Sequence, residues 1–500
     1  MGSLSASPSG RADGDVIHPF QPYVSKPCYW DLIRSKPNLM GGYIWDWIDQ
    51  GVLTTNSKGA AYLAYGGDFG DKPNSGNFCL NGVINSDRTP NPKTWECKTL
   101  FQPVAFEAVD LDTGKIKLIN RFNFTNMKDY SIHWNLSEEG MIVQQGVLDS
   151  MDVSAGQSRE IKIPFQPLEN KSGKEQWLRL SVHETHDKLW CRAGFEIAKQ
   201  QFLLNEGHPV SARPERALSI KEDKTSIQLN GSGFAAVIDR STGELSSYKV
   251  GGEEWIKSPL RPAFWRPQTD NDAKGGKTQK LMKYWKELGG KLTTDSVRME
   301  RVSETTAKVV VKKRAEKTDL VITYIFNGNG EVSVTMDLDS DPTLPPMPRL
   351  GFSMGVSDEF VTTHYFGKGP WENYIDRCAG AEVGLYEKST ADMYFEYAMP
   401  QENGNHTATR WVDLAGASGT LHIEGDQTFG FSIWPWSPEN LESAKHPFDL
   451  VEQGFYTVNI DHKQMGVGGT DSWSAKALPL EHYRIPSGKY NYTVRLTPLH

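Results

Sequence analysis

The 500 residues are 38% hydrophobic and 23% charged, with a formal net charge of −8, which is the profile of an ordinary folded chain. The length sets a soft expectation of roughly three domains. The acidic balance argues against nucleic acid or an anionic membrane as the main partner. No apolar run reaches the ~18 residues of a spanning helix.

Residues 1–28 differ from the rest. Met1 to Gly14 is rich in Ser, Gly and Ala without an apolar stretch, so it is no secretory signal, and the segment reads as a disordered leader. The cysteines (Cys28, Cys79, Cys97, Cys191 and Cys378) are odd in number, widely spaced and free of C-x-x-C. Free thiols in a reducing compartment, the cytoplasm, are the simplest account. The N-x-[ST] sequons therefore carry no weight.

Tyr29 to Ser35 predicts a short helix stopped by Pro37. Gly41 to Gln50 follows, with Tyr43, Ile44, Trp45, Trp47 and Ile48 fitting a packed strand over Tyr43–Asp49. Asp46 and Asp49 sit among these aromatics, where a carboxylate is costly unless hydrogen-bonded. Aromatic faces beside polar groups also suit a sugar ring, and a satisfied core strand is the alternative. Ala64 to Gly82 is a long glycine-rich loop, more often functional than idle at such length. Asp87 to Pro92 sets up a helix over Lys93–Gln102.

From Val104 the texture changes to alternating segments: Lys115–Phe122, Gly140–Gly146, Arg159–Phe165, Trp177–His183 and Ala193–Leu203. Period-two alternation broken by polar turns predicts an immunoglobulin-like sandwich over 104–207. A proline-containing linker (208–217) leads to a second, larger two-sheet sandwich over 218–500. Asp239 to Glu244 and Asn327 to Gly330 are hairpin turns, and Gln279–Leu288 is an amphipathic helix.

No metal cluster, Walker-type loop or G-x-S-x-G elbow is present. No glutamate precedes Glu96, which weighs against a complete pair of catalytic carboxylates in the first part of the chain. The polar-aromatic clusters lie later, at Phe264–Asp272, Phe366–Arg377, Pro400–His406 and Gly466–Trp473. Singly, each reads first as a structured turn. Glu372 with Arg377 suits a buried structural pair, and His406 alone suits a satisfied histidine.

At these residues the chain resembles glycoside hydrolase family 2, the family of the large bacterial-type β-galactosidases. The matching stretches are Gly41–Gln50, Tyr65–Asp71, Phe78–Gly82, Asp87–Pro90, Arg266–Asp272, Gly367–Tyr374, Pro400–Gly404 and Gly466–Trp473, in the family's order and spacing. The resemblance implies a mainly β chain. It would hold the end of a (β/α)8 barrel (29–103), the immunoglobulin-like sandwich and a galactose mutarotase-like supersandwich. It implies hydrolysis of terminal β-D-galactose from galactosides such as lactose, with retention. By resemblance Trp45 lies under the galactose, Trp473 stacks on the aglycone, and the Phe78 carbonyl with Asn81 forms part of a sodium site. The family also uses magnesium, whose ligands match no residue here. Ala273-Lys274 replaces a more apolar pair in a loop that moves in the family, and Ser75 stands where an acid is common. The family's nucleophilic glutamate belongs shortly before the position of Tyr29, and His18 to Cys28 holds none. Two readings follow. In one, the chain is part of a β-galactosidase, a truncated gene or a subunit completed by a barrel chain or by oligomerisation, and is inactive alone. In the other, it is a non-catalytic galactoside-binding or scaffold protein.

Overall fold

The computed structural model describes residues 15–17, 28–168, 173–207 and 216–499. Most of the expected leader (1–14 and 18–27) and linker (208–215) lies outside these residues. The chain divides into two compact units: Thr94–Ala212 with Ala379–Leu385, and Met1–Lys93 with Arg213–Cys378 and Tyr386–His500. The division between these units falls inside the helix Pro92–Leu100, ahead of the domain boundary expected at 103/104. The Glu96 carboxylate accepts the Gly380 N–H at 2.8 Å, which ties the body of that helix to Ala379–Leu385.

The smaller unit is the expected immunoglobulin-like sandwich. One sheet orders Glu196–Asn205, Gln176–Glu184, Tyr130–Glu138 and Met141–Leu148. The other orders Val104–Asp110, Lys115–Asn120 and Ser158–Lys162. Along Tyr130–Glu138 every second side chain (Tyr130, Ile132, Trp134, Leu136) is buried. They join a core with Ile116, Leu118, Leu178 and Leu180. Each such side chain contributes about 1.5–3 kcal/mol by burial.

The larger unit carries one sheet of seventeen strands, from Ser219–Glu222 to Lys489–Leu499. The sheet curls because single strands serve several neighbours. Arg349–Ser357 pairs with both Ile256–Ala263 and Phe455–Gln464. Gly419–Trp434 pairs with His406–Gly416, Phe455–Gln464 and Lys489–Leu499. Trp255, Tyr324, Phe352, Phe360 and Tyr492 fill the space enclosed. The turn expected at Asp239 forms because its carboxylate accepts the N–H groups of Ser241 and Thr242 at 2.8 and 2.9 Å. Gly243 is required there: at φ +67° an added Cβ would lie 2.3 Å from Val311. The helix expected over 279–288 is broken at Met282 into Thr278–Leu281 and Lys283–Lys291. Trp285 and Leu288 are buried as expected, and the break leaves Leu281 outside.

The first 93 residues hold short elements. After the helix Cys28–Ser35, the strand expected over Tyr43–Asp49 ends at Ile44. It pairs in parallel with Asp15–Ile17, within the expected leader. Beyond Ile44 the chain runs along residues 79–84 by separate backbone bonds: Asp46 N to Asn81 O (3.3 Å), Ile84 N to Trp47 O (3.1 Å) and Gln50 N to Cys79 O (2.9 Å). The inner residues Ala64, Leu80 and Val83 are buried. The outer ones are not: Tyr43 is 72%, Trp47 57% and Leu53 71% exposed. Among the described residues no helix is long and apolar enough to cross a membrane.

The loops at one end of the large sheet are held by buried charge. Arg349 donates to Asp461 at 3.1 Å and to Glu402 at 3.2 Å. Arg266 grips Asp272 with two bonds (3.0 and 3.2 Å) and donates to the carbonyls of Met465 and Gly466. Glu372 accepts from Arg377 (2.5 Å), Tyr397 (2.6 Å) and the Gly404 N–H (2.6 Å). The expected Glu372–Arg377 pair is thus present. His406 is buried, with Nδ1 3.2 Å from the Tyr365 hydroxyl, and burial pushes it down to about 3. Asp376 accepts the N–H groups of Val467 and Gly468, both at 2.9 Å, through a single oxygen.

Two measurements check this arrangement. Burial pushes Asp376 up to about 6 from 3.8, so between these values the folded chain holds a proton that the unfolded chain has lost. Stability from this group therefore falls as pH rises from 4 to 6 and is level above. Asp376→Asn keeps an acceptor for both amides and removes the titration. Its stability relative to wild type should rise by roughly 3 kcal/mol between pH 4 and 7 in denaturant titrations. A difference independent of pH would show that Asp376 does not titrate in this range. In amide exchange, the hairpin Val52–Thr55/Ala61–Ala64 should exchange at least ~100-fold faster than Arg349–Ser357. Equal protection would mean that the open edge is as stable as the sheet.

Candidate functional site

The buried charges adjoin two loops, one of which carries Trp473, while Trp45, Phe78 and Asn81 come from the first 93 residues. Residues 266–272 form a capped turn. The Thr269 side chain accepts the Asp272 N–H at 3.2 Å, and the Asp272 carboxylate accepts the Thr269 N–H at 3.2 Å. Asn271 then reaches across to the carbonyls of Asp471 (3.3 Å) and Ala477 (3.1 Å). Asp471 closes its own turn by accepting the N–H groups of Trp473 (3.2 Å) and Ser474 (2.9 Å). This turn presents the Trp473 indole, which is half exposed.

Phe78 lies on the short helix Gly76–Cys79, its ring edge-on to Trp473 with centroids 6.3 Å apart. Asn81 follows the helix and is buried, and its Oδ1 has no hydrogen-bond partner. Its backbone carbonyl takes the Asp46 N–H, so Trp45 is tied by backbone to Asn81. Trp45 is 55% exposed, and its peptide bond to Asp46 is cis. The structure therefore brings Phe78 against Trp473 and seats Asn81 beside the chain that carries Trp45. Close packing is obligatory at Gly82, where a Cβ would lie 2.1 Å from the Asp49 nitrogen.

The acids of this region are engaged by the protein. Asp46 accepts the Trp47 N–H at 2.6 Å and the Gln50 amide. Asp49 accepts the Gly82 N–H at 2.5 Å, and burial pushes its carboxyl up. Asp270 is held by the amides of Asn77 and Gln401, and burial pushes it up as well. A cavity lined by Asp49, Asp270, Tyr374, Gln401 and Glu402 has about 30 Å³ of room. That suits a water or two rather than a larger ligand.

Sequence reasoning gave little weight to Lys274. Its ammonium is buried without a hydrogen-bond partner, 5.8 Å from the centroid of the Phe78 ring. Burial pushes its pKa down, and Asp270 opposes that. Nor are the neighbouring glycines loose spacers. A Cβ on Gly275 would lie 2.4 Å from that of Ala477, and one on Gly276 would lie 2.8 Å from the Asn271 carbonyl oxygen. The signal available in the sequence was a lysine placed between a capped turn and two glycines.

Among the described residues no group of three or more His, Cys, Asp or Glu side chains is arranged to hold a metal. The unsatisfied Asn81 Oδ1 is a hard oxygen of the kind a sodium ion takes.

Three protein-family profiles match. Residues 25–106 match the TIM barrel domain of glycosyl hydrolases family 2, residues 116–205 match domain 4 of β-galactosidase, and residues 230–496 match the β-galactosidase small chain. The β-galactosidase of Priestia megaterium is 34% identical over 477 residues, covering 94% of this chain and 46% of that protein. The β-galactosidase of Psychromonas ingrahamii is 31% identical over 479 residues, covering 91% and 46%. The chain thus spans about half the length of these curated relatives. The solved galactose 1-epimerase of Lactobacillus acidophilus NCFM covers 57% of this chain and 99% of its own length, at 10% identity and a TM-score of 0.30. No weight rests on that overlap. On the family profiles and the bacterial relatives, the chain belongs to the β-galactosidases of glycosyl hydrolase family 2.

Proposed function

We propose that this chain supplies the galactoside-binding floor and aglycone side of a retaining β-galactosidase, while the two catalytic carboxyl groups come from a further barrel segment. The reaction is hydrolysis of terminal β-D-galactose from galactosides such as lactose. One observation carries the reading: the half-exposed Trp473 packs edge-on against Phe78, and Asn81, whose buried side-chain oxygen is unsatisfied, bonds by its backbone carbonyl to the residue after the half-exposed Trp45. Indole faces take the apolar face of a sugar ring, and a buried acceptor without a donor favours a ligand that provides one. In this reading Trp45 is the platform under the galactose and Trp473 stacks on the aglycone. Sodium held by the Phe78 carbonyl and Asn81 would fix the galactose 6-hydroxyl.

Retention needs two carboxyl groups about 5–5.5 Å apart, one of them an unencumbered nucleophile. Asp46, Asp49 and Asp270 are each occupied by hydrogen bonds, which supports assigning the catalytic pair, and the magnesium ligands with it, elsewhere. A (β/α)8 barrel closes only with eight strands. The exposed Tyr43, Trp47 and Leu53 lie in the segment that matches the barrel. We assign their covering to that further barrel segment, whether on a separate chain or in a homo-oligomer. The free thiols of Cys79, Cys97, Cys191 and Cys378 support a cytoplasmic location. The second reading, a non-catalytic galactoside-binding or scaffold protein, draws on the same occupied acids.

The purified chain should not turn over a chromogenic β-galactoside, yet should bind galactosides in calorimetry. Adding a chain that carries the remainder of a family barrel should restore hydrolysis, and failure to do so favours the second reading. Turnover by the chain alone would overturn the assignment of the carboxylates. Trp473→Ala should weaken an aryl galactoside about 3- to 10-fold while leaving free galactose nearly unchanged. Asn81→Ala should remove any dependence of galactose affinity on sodium.

A further inference from the structure

We propose that Lys274 makes the aglycone side of this site selective for galactosides that carry a carboxylate. The proposal rests on the galactoside reading above and adds the chemical class of the aglycone.

An ammonium taken out of water needs acceptors, and leaving it without them costs more than a neutral donor left unpaired. Lys274 Nζ is buried and makes no hydrogen bond. Its natural intramolecular partner is Asp270, one turn before it, but that carboxylate is used elsewhere. Oδ1 takes the Asn77 amide, and Oδ2 takes the Gln401 amide at 3.4 Å. The charge is therefore held near Asp270 without being bonded to it. The Phe78 ring 5.8 Å away gives a cation–π contact, which attracts the charge and accepts no hydrogen bond.

The backbone at Lys274 is also fixed in place, while its ammonium has no bond to hold it. Its N–H bonds the Asp270 carbonyl at 3.0 Å, and Gly276 bonds the Asn271 carbonyl at 2.8 Å. Gly275 is pressed against Ser474 and Ala477, so Lys274 stands next to the turn that presents Trp473. Phe78 contacts both, through its ring against Trp473 and under the ammonium. An aglycone stacked on Trp473 would thus lie near a cation whose three donors are unused. In a chain of net charge −8, such a cation at the site is a local exception to the overall field. A carboxylate oxygen is the acceptor that meets it with both a hydrogen bond and opposite charge.

The test compares lactobionate with lactitol. Both are β-galactosides with an open-chain aglycone, and they differ by a carboxylate in place of a hydroxymethyl group. Calorimetry on the full chain at low salt should show lactobionate bound on the order of tenfold tighter. The preference should shrink as salt rises. Lys274→Met should bring the ratio close to one, and Lys274→Arg should keep most of it. Equal affinities in wild type, or a preference that survives Lys274→Met, would overturn the proposal while leaving the galactoside reading intact. Gluconate bound in a Lys274-dependent manner without any binding of lactitol would uphold the role of Lys274 and overturn the galactoside reading. Binding of none of these probes would overturn both.

Discussion

One guanidinium, that of Arg349, lies between two carboxylates at the end of the large sheet, and the site depends on it. Asp461 and Glu402 both bond it, and all three are buried. Burial pushes Asp461 up to about 7 and raises Glu402, the mark of two acids sharing one cation in a poorly solvated place. Removing one member of such a group is far more damaging than never having built it, because a charge is left behind unpaired. The knot joins the strand Arg349–Ser357, the strand Phe455–Gln464 and the loop at Glu402. Arg266 with Asp272, Glu372 with Arg377, and Asp376 with the amides of Val467 and Gly468 continue it through the adjoining loops. Asn271 and Asp471 then pass that rigidity to Trp473. Precise placement of an exposed indole on a loop needs a supporting shell of this kind.

The same residues show what can be read from a chain of this type. Alternation at period two survives folding almost unchanged, because it records which face of a strand meets the core. Five strands of the smaller sandwich and the hairpin at Asp239 were therefore legible within a few residues, whereas Val104–Asp110 and the central strand Tyr130–Glu138 were not singled out. Gly41 to Gln50 was harder. Its aromatics read as a strand through Asp49, yet regular pairing stops at Ile44, and Trp45 and Trp47 stand largely outside. An aromatic side chain suits a packed strand and an open sugar-binding face equally well, so composition alone does not separate the two. The unit boundary at Lys93 was hidden because the helix is tied to a segment far along the chain, as the bond from Gly380 to Glu96 shows. A contact across 284 positions leaves no local trace in sequence.

The polar-aromatic clusters teach the opposite lesson. Phe264–Asp272, Phe366–Arg377 and Pro400–His406 look like an active site because they concentrate charge and rings. In the fold most of that charge is consumed internally. His406 is a satisfied core histidine, and Glu372 has three protein donors. What distinguishes a ligand-facing group here is an unmet hydrogen bond beside an open surface, a property that residue type and spacing do not encode.

That criterion separates two kinds of residue around Phe78. Asp49 and Asp270 each accept hydrogen bonds from the protein, so they hold the floor together. Asn81 Oδ1 and Lys274 Nζ are buried and unengaged, one an acceptor and one a donor, and in this structure neither satisfies the other. Leaving two such atoms unmet costs about 1–3 kcal/mol each. Under the proposed function, a galactoside with an acidic aglycone bound beside sodium would bring a cation to the first and an acceptor to the second.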